Sequence, residues 1–219
     1  MIYDILATGS TGNAVLINGD VLIECGVPQK TLRPYARQIK LVLLTHEHGD
    51  HFNRSTVRWL AHARPAIRWG CCEWMVPHLL DAGVRERQID VYEPDLPMVY
   101  MELGLGLIPF RLHHNVPNCG YKITVCEKSL FYATDTGSLE EIEAKGFDLY
   151  MVEANHTTAE IEARAAEKAA AGEFAYEIRA AQNHLSMEQA TDWLMQNMGP
   201  KSLWIPMHGH ADKGGDQHG

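Results

Sequence analysis

The feature that most constrains this chain is a short apolar run leading directly into a cluster of histidine and aspartate. The stretch LVLLTHEHGDHFN, residues 41–53, places four such side chains within six positions: His46, His48, Asp50 and His51. The run 41–45 is too short for a helix and uniformly apolar, so we expect a strand buried on both faces. The cluster then lies on the loop that ends this strand, where a sheet presents side chains rigidly.

Strand and helix patterns alternate along the rest of the chain. The segment 14–25 predicts a hairpin around Asn18-Gly19, a dipeptide that readily adopts the positive φ angles of a type I′ turn. Further strands are expected at 2–7, 66–69, 105–115, 120–126, 129–135, 148–155 and 202–208. Helices are expected at 55–63, 71–83, 138–146, 157–182 (a pair broken near Gly172) and 187–198. This alternation predicts an α/β layered domain.

Length and composition indicate one folded domain. The 219 residues are 46% hydrophobic and 21% charged, which is typical of a globular chain. We assign a single domain to residues 1–210 and a flexible tail to 211–219. The net charge of −9 argues against a broad basic surface that neutralises the phosphates of a long nucleic acid.

Cysteine usage and hydropathy predict a cytoplasmic protein with no membrane contact. The five cysteines show no CxxC spacing, so neither a disulfide framework nor a zinc ribbon is indicated. The amino terminus lacks the basic and apolar regions of a signal peptide. No apolar run approaches the roughly 18 residues that span a membrane.

The spacing of the clustered residues points to metal binding. Neutral imidazoles and carboxylates are the ligands that zinc and similar ions take, whereas the alternative is a solvated polar loop. The pattern His-x-His-x-Asp-His resembles the signature of the metallo-β-lactamase superfamily, and the likeness extends over nearly the whole chain. It implies an αββα sandwich of two mixed β-sheets flanked by helices. It also implies that His46 and His48 bind a first metal, and Asp50 and His51 a second.

The resemblance calls for three more ligands, each after a strand. The stretch FRLHHNVPN offers two histidines, and strand alternation places His114 on the face of Phe110 and Leu112. We choose His114 for the first metal and expect His113 at the surface or behind a ligand.

The two remaining ligands come from the second half of the chain. Asp135 matches the family's strand-Thr-Asp-x-Gly pattern as a carboxylate bridging both metals. His208 directly follows the last strand and is chosen for the second metal, with His210 as the alternative ligand. Because the family's di-iron flavoproteins have a glutamate where this chain has His48, we expect two zinc ions, with manganese as the alternative.

A further histidine suggests the reaction. His184-Leu185-Ser186 resembles the His-x-Ser/Thr element that precedes a helix in RNase Z and small exonuclease-like relatives. The resemblance implies that His184 protonates the leaving oxygen of a phosphodiester and that Glu153 orients it. We count Asp50, Glu153 and His184 as catalytic residues. The stretch EANH, residues 153–156, resembles the Glu-x-Asn-His of the exonuclease-like branch, and His156 is left open between a site role and a structural one.

These residues together predict a two-metal phosphodiesterase. A metal-bridged hydroxide is the expected nucleophile, and the substrate is a cyclic mononucleotide or the end of a short single-stranded RNA or DNA. The chain lacks the inserted domain of β-CASP nucleases and the protruding arm of RNase Z, which disfavours long nucleic acids. A homodimer is expected by analogy with RNase Z-like relatives.

Two alternative functions stay open. A thioester or lactone hydrolase, as in the glyoxalase II and lactonase branches, has the same ligands but does not call for a general acid before the last helix. A non-catalytic metal-binding module requires a closed coordination shell without a water position.

Overall fold

The architecture is a sandwich of two six-stranded sheets. A computed structural model describes residues 1–171 and 183–209. The first sheet has the order β1-β2-β3-β4-β5-β6, and the second β12-β11-β10-β9-β8-β7. The strands of the first sheet are Tyr3–Ala7 (β1), Ala14–Ile17 (β2), Val21–Ile23 (β3), Leu41–Leu44 (β4), Arg68–Cys72 (β5) and Ile89–Tyr92 (β6). Those of the second are Met98–Tyr100 (β7), Leu105–Leu112 (β8), Asn118–Val125 (β9), Lys128–Ala133 (β10), Leu149–Glu153 (β11) and Leu203–Met207 (β12).

The helices are Gln29–Leu32 (α1), Arg54–Ala63 (α2), Val76–Asp81 (α3), Thr158–Ala170 (α4) and Met187–Asn197 (α5), with short 3-10 turns at Glu73–Met75, Glu86–Gln88 and Met101–Leu103. Helices α1, α2 and α3 cover the outer face of the first sheet, and α5 covers that of the second. None of the described side chains of α4 is buried. The Asn53 side chain caps α2, and Ser186 caps α5 through a reciprocal capping box with Gln189. Within the described ranges, no helix combines the length and apolarity needed to cross a bilayer.

Three apolar layers explain the sandwich. Alternate residues of β4 point to opposite faces: Leu41 and Leu43 join the core between the sheets, whereas Val42 and Leu44 pack under the helices of the first sheet. A third cluster, which includes Phe131 and Trp193, packs α5 on the second sheet. The αββα fold and the doubly buried strand at 41–45 are confirmed.

The polarity of the strands brings functional residues to one edge. β3, β4, β5 and β6 run parallel, and β10, β11 and β12 also run parallel. Because parallel strands end at the same side of a sheet, the loops that follow them gather there. The loop 45–53 lies at this edge.

The structure differs from the sequence prediction at several elements. Residues 138–146 form turns rather than a helix, and the segment 71–83 begins in β5 before the 3-10 turn and α3. β6 and β7 were not predicted. The two-residue turn between β9 and β10 is formed by Cys126 and Glu127, both with positive φ, one residue earlier than expected. The break near Gly172 and the tail lie outside the described residues.

Candidate metal centre

Ligand candidates from both sheets meet at the shared edge. The loop 45–53 follows β4 of the first sheet, and His114, Asp135 and His208 follow β8, β10 and β12 of the second. Asp135 and His208 both adopt positive φ angles, of 57° and 53°. Non-glycine residues rarely occupy this region, and such strain concentrates at functional sites.

The first ligand group consists of His46, His48, His114 and Asp135. His48 Nδ1 and His114 Nε2 lie 3.2 Å apart, and His46 Nε2 lies 3.1 Å from Asp135 Oδ2. The side chain of His46 is fully buried, and that of His114 is 2% exposed. Three imidazole nitrogens and one carboxylate oxygen thus converge on one point.

The second ligand group consists of Asp50, His51, Asp135 and His208. His51 Nε2 lies 3.0 Å from Asp135 Oδ2, and His208 Nε2 lies 3.1 Å from Asp50 Oδ2 and 3.3 Å from Asp135 Oδ1. Asp135 therefore belongs to both groups and presents a carboxylate oxygen to each.

The donor set fits divalent metal ions. Two or three imidazoles with one or two carboxylates are ligands that zinc and related ions take. Among the described residues, His46 Nε2 and Asp135 Oδ1 are buried side-chain atoms without a hydrogen-bond partner. Such atoms are costly to bury unless something binds them, and a cation satisfies both.

Electrostatics of the cluster agree with this fit. Burial lowers the pKa of His46, and it lowers the pKa of His114 to about 4. Burial acts to raise the pKa of Asp135, but the facing His51 and His46 outweigh it and hold the pKa well below its usual range. For His51, burial is outweighed by Asp135 and Glu24, which raise its pKa. A bound cation replaces the proton that this anionic setting otherwise draws to His51.

A buried carboxylate that sequence analysis missed supports ligands of both groups. Glu24, fully buried with φ of 66°, accepts a hydrogen bond from Thr45 Oγ1 at 2.6 Å. Thr45 Oγ1 in turn lies 2.9 Å from His46 Nδ1, and Glu24 Oε1 lies 3.3 Å from His51 Nδ1. These contacts favour protonation at both Nδ1 atoms, which leaves each Nε2 free for a metal.

Other contacts hold His114 and His208. His114 Nδ1 lies 3.2 Å from the Asn183 carbonyl oxygen, and the Asn155 amide lies 3.1 Å from His208 Nδ1. Asn155 also donates to the His208 carbonyl. In the sequence, Glu24 is marked only as a carboxylate at the end of the apolar run VLI, and Asn155 lies in the stretch EANH (153–156) that resembles the Glu-x-Asn-His of exonuclease-like relatives. No pattern distinguishes Thr45.

The loop that carries Asp50 packs closely on the segments around Asn13 and Gly26. Asn13 N donates to the Asp50 carbonyl at 2.7 Å, and Gly26 N donates to the Asn13 carbonyl at 3.0 Å. A Cβ atom on Gly26 would lie 1.7 Å from the Asp50 carbonyl oxygen, so only glycine permits this approach.

His184 and Glu153 form a pair beside the ligands. His184 Nδ1 lies 2.5 Å from Glu153 Oε1 and 3.8 Å from Asp135 Oδ1, and its ring stacks on His208 with centroids 5.4 Å apart. Glu153 Oε2 accepts the backbone N–H of Thr136. Burial acts to lower the pKa of His184, but the hydrogen bond to Glu153 outweighs it and the pKa is raised.

The structure thus brings together all nine residues selected from the sequence. His113 is exposed and outside the cluster, and His210 lies beyond the described residues. His156 is buried, and its carbonyl accepts from Met187 N at the start of α5. That contact is structural.

The fold is an αββα sandwich, and the histidines and aspartates at one edge form a candidate metal site. Residues 20–208 match the family model described as the beta-lactamase superfamily domain, and the chain belongs to this family. The resemblance to metallo-β-lactamases drawn from the sequence is confirmed. Comparison with curated protein sequences finds no significant match.

Solved structures share the fold at low identity. The chain is similar to the short form of human tRNase Z, with 16% identity, a TM-score of 0.67 and coverage of 95% of this chain and 93% of that one. It is similar to a diphosphatase from the PhnP family, with 16% identity, a TM-score of 0.64 and coverage of 94% and 85%. It is also similar to Zn²⁺-bound PqqB from Methylobacterium extorquens, with 12% identity, a TM-score of 0.70 and coverage of 95% and 89%.

Proposed function

We propose that the protein is a two-metal hydrolase that cleaves a phosphodiester of a nucleotide. The substrate is a cyclic mononucleotide or the end of a short single-stranded RNA or DNA. Two ligand groups sharing Asp135 support the pair of metals. The fold is shared with a tRNase Z and a diphosphatase, and the zinc in the similar PqqB structure favours zinc here.

The ligand assignment follows the two groups. His46, His48 and His114 would hold the first ion, Asp50, His51 and His208 would hold the second, and Asp135 is shared by the two groups. When bound, such ions supply a hydroxide nucleophile at neutral pH and neutralise the charge of a phosphodiester. The surrounding protein holds the imidazoles in the required tautomers through Glu24, Thr45 and the Asn183 carbonyl.

The observation that carries the proposal is the His184–Glu153 pair. Glu153 holds Nδ1 of His184 at 2.5 Å, which leaves Nε2 available to a substrate. His184 then donates the Nε2 proton to the leaving oxygen while Glu153 fixes the ring. An alkoxide is a poor leaving group without such a proton, whereas a thiolate leaves without one. The pair therefore favours phosphodiesters over thioesters. A lactone also releases an alkoxide, so lactone hydrolysis is separated from phosphodiester hydrolysis by assaying both classes of substrate.

The test uses two phosphodiesters that differ in leaving group. We expect His184→Asn, which retains a donor for Glu153, to lower kcat on a dinucleotide by about 10²–10⁴-fold. The loss on bis-p-nitrophenyl phosphate should be smaller, because p-nitrophenolate leaves without protonation. Metal content, measured by inductively coupled plasma mass spectrometry, should stay at the wild-type level.

The matched control is His113→Asn, which changes an exposed histidine next to a ligand. It should behave as wild type on both substrates. Full dinucleotide turnover by His184→Asn would contradict the acid role. Hydrolysis of thioesters or lactones but of no phosphodiester would contradict the proposed reaction.

A further inference from the structure

A cleft lies at the same edge of the sandwich as the candidate metal centre. It encloses about 660 Å³, and its walls include Glu73, Trp74, Val91, Glu93, Pro94 and Arg111. Glu73 and Trp74 follow β5, Glu93 and Pro94 follow β6, and Arg111 lies near the end of β8. The cleft thus adjoins the strand ends that carry the ligand candidates.

One hydrogen bond joins the cleft wall to the ligand loop. Trp74 Nε1–H donates to the Thr45 carbonyl at 2.9 Å, and Thr45 directly precedes His46. In the second sheet Arg111 precedes His114 by three residues, or about 10 Å of extended chain. A group in the cleft can therefore belong to the molecule whose phosphate lies at the ligands.

Trp74 and Arg111 offer planar surfaces for stacking. The guanidinium carbon of Arg111 lies 5.4 Å from the centroid of the Trp74 ring. Arg111 is exposed, Trp74 is half-buried, and Arg111 forms no ion pair with any described residue. Indole rings and guanidinium planes are surfaces on which the bases of single-stranded nucleic acids stack.

The two carboxylates of the cleft indicate which part of a nucleotide it accepts. Glu73 and Glu93 are exposed, and neither is paired within the described part of the chain. They repel a phosphate but accept hydrogen bonds from the amino group of a base. Adenine, cytosine and guanine carry such a group, whereas uracil and thymine present carbonyl oxygens in its place.

We propose that this cleft binds the nucleobase adjoining the scissile phosphate and prefers bases with an amino group. The base stacks on Trp74 and Arg111, and Glu73 and Glu93 accept its amino hydrogens. Val91 and Pro94 form the apolar wall. This inference rests on the proposed function and narrows it to nucleotides whose base carries an amino group.

The test measures affinity for dinucleotides that resist hydrolysis. Metal-loaded protein is titrated calorimetrically with phosphorothioate-linked ApA, CpC and UpU. We expect ApA and CpC to bind about tenfold more tightly than UpU, and the double substitution Glu73→Gln, Glu93→Gln to reduce this preference. Trp74→Ala and Arg111→Ala should each weaken ApA binding about tenfold.

Matched variants separate stacking from support of the ligand loop. Trp74→Phe keeps an aromatic plane but loses the N–H bonded to Thr45, so it should retain most ApA affinity. Trp59→Ala and Arg58→Ala make the same changes in a different cleft, between α2 and residues 83–88, and should leave binding unchanged. Wild-type ApA affinity in Trp74→Ala and Arg111→Ala would overturn the proposal.

Hydrolysis of bis-p-nitrophenyl phosphate, which has no base, distinguishes the two proposals. If the Trp74 and Arg111 variants hydrolyse this compound at the wild-type rate and bind dinucleotides with wild-type affinity, the cleft proposal is refuted but the proposed function is not. A wild-type protein that hydrolyses no phosphodiester refutes the proposed function, and the cleft proposal fails with it.

Discussion

The two ligand groups share Asp135 but differ in charge and exposure. The first contains three imidazoles and one carboxylate, whereas the second contains two imidazoles and two carboxylates. His46 is fully buried in the first group, while the Asp50 side chain in the second is 22% exposed. Imidazole suits zinc and copper, and carboxylate suits manganese and magnesium. We therefore expect the first group to be the more selective for zinc.

The supporting contacts differ as well. In the first group, His46 is linked to Glu24 through Thr45, and His114 is held by a backbone carbonyl. In the second, His51 contacts Glu24 directly, and His208 is held by Asn155. Glu24 is therefore common to both groups, whereas Thr45 and Asn155 each support one.

The largest expected effect follows from removing the shared ligand. Asp135→Asn retains the shape of the side chain but removes an anionic oxygen from each group. We expect metal content to fall at both positions and activity on bis-p-nitrophenyl phosphate to fall by about 10³-fold or more. Elemental analysis together with kinetics checks this. Asp4→Asn, at an exposed position, is the control. Loss of a single ion would show that Asp135 serves one group.

A smaller effect follows from substitutions that touch one group each. His48→Ala removes an imidazole from the first group, and Asp50→Asn removes a charge from the second. Each variant should lose one ion of the two, with activity about 10²-fold lower. In competition between equal zinc and manganese, Asp50→Asn should shift the remaining content toward zinc, and His48→Ala toward manganese.

The exposed His62 provides the control for these variants. His62→Ala should keep the wild-type content of both metals. Identical zinc-to-manganese ratios in His48→Ala and Asp50→Asn would show that the two groups do not differ in selectivity.

Much of the fold could be predicted because its central strands have a local signature. β4 and β11 are continuous apolar runs, as strands covered on both faces must be. The prediction of a helix at 138–146 was wrong, although the sequence contains the capping signals of a helix. Asn197 of α5 accepts hydrogen bonds from the backbone N–H groups of Ala144 and Gly146, and these long-range bonds replace those of a helix. The edge strand β6 includes Asp90, which pairs with Arg68, so no apolar pattern marks it.

The ligand candidates could be selected because each follows a strand in a sequence pattern typical of the family. Glu24 was missed, because a carboxylate after an apolar run does not by itself indicate a site, and its partners depend on strand pairing that the sequence does not reveal. β3 lies parallel to β4 with Ile23 opposite Leu43, and this register sets Glu24 beside Thr45. The Trp74–Arg111 contact likewise joins two distant segments, the turn after β5 and the strand β8. Contacts between segments far apart in the chain are the part that local patterns miss.

The smallest and most discriminating effects should come from the supporting residues. Glu24→Gln keeps the size of the side chain but weakens the acceptor for Thr45 and His51, so both ions should bind about 10- to 100-fold more weakly. Thr45→Val should weaken binding of the first ion alone, because Thr45 contacts His46. Asn155→Ala should weaken binding of the second ion alone. Titration against a metallochromic chelator resolves the two affinities. If Glu24→Gln weakened binding of only the second ion, the link from Glu24 through Thr45 to His46 would contribute nothing to the affinity for the first ion.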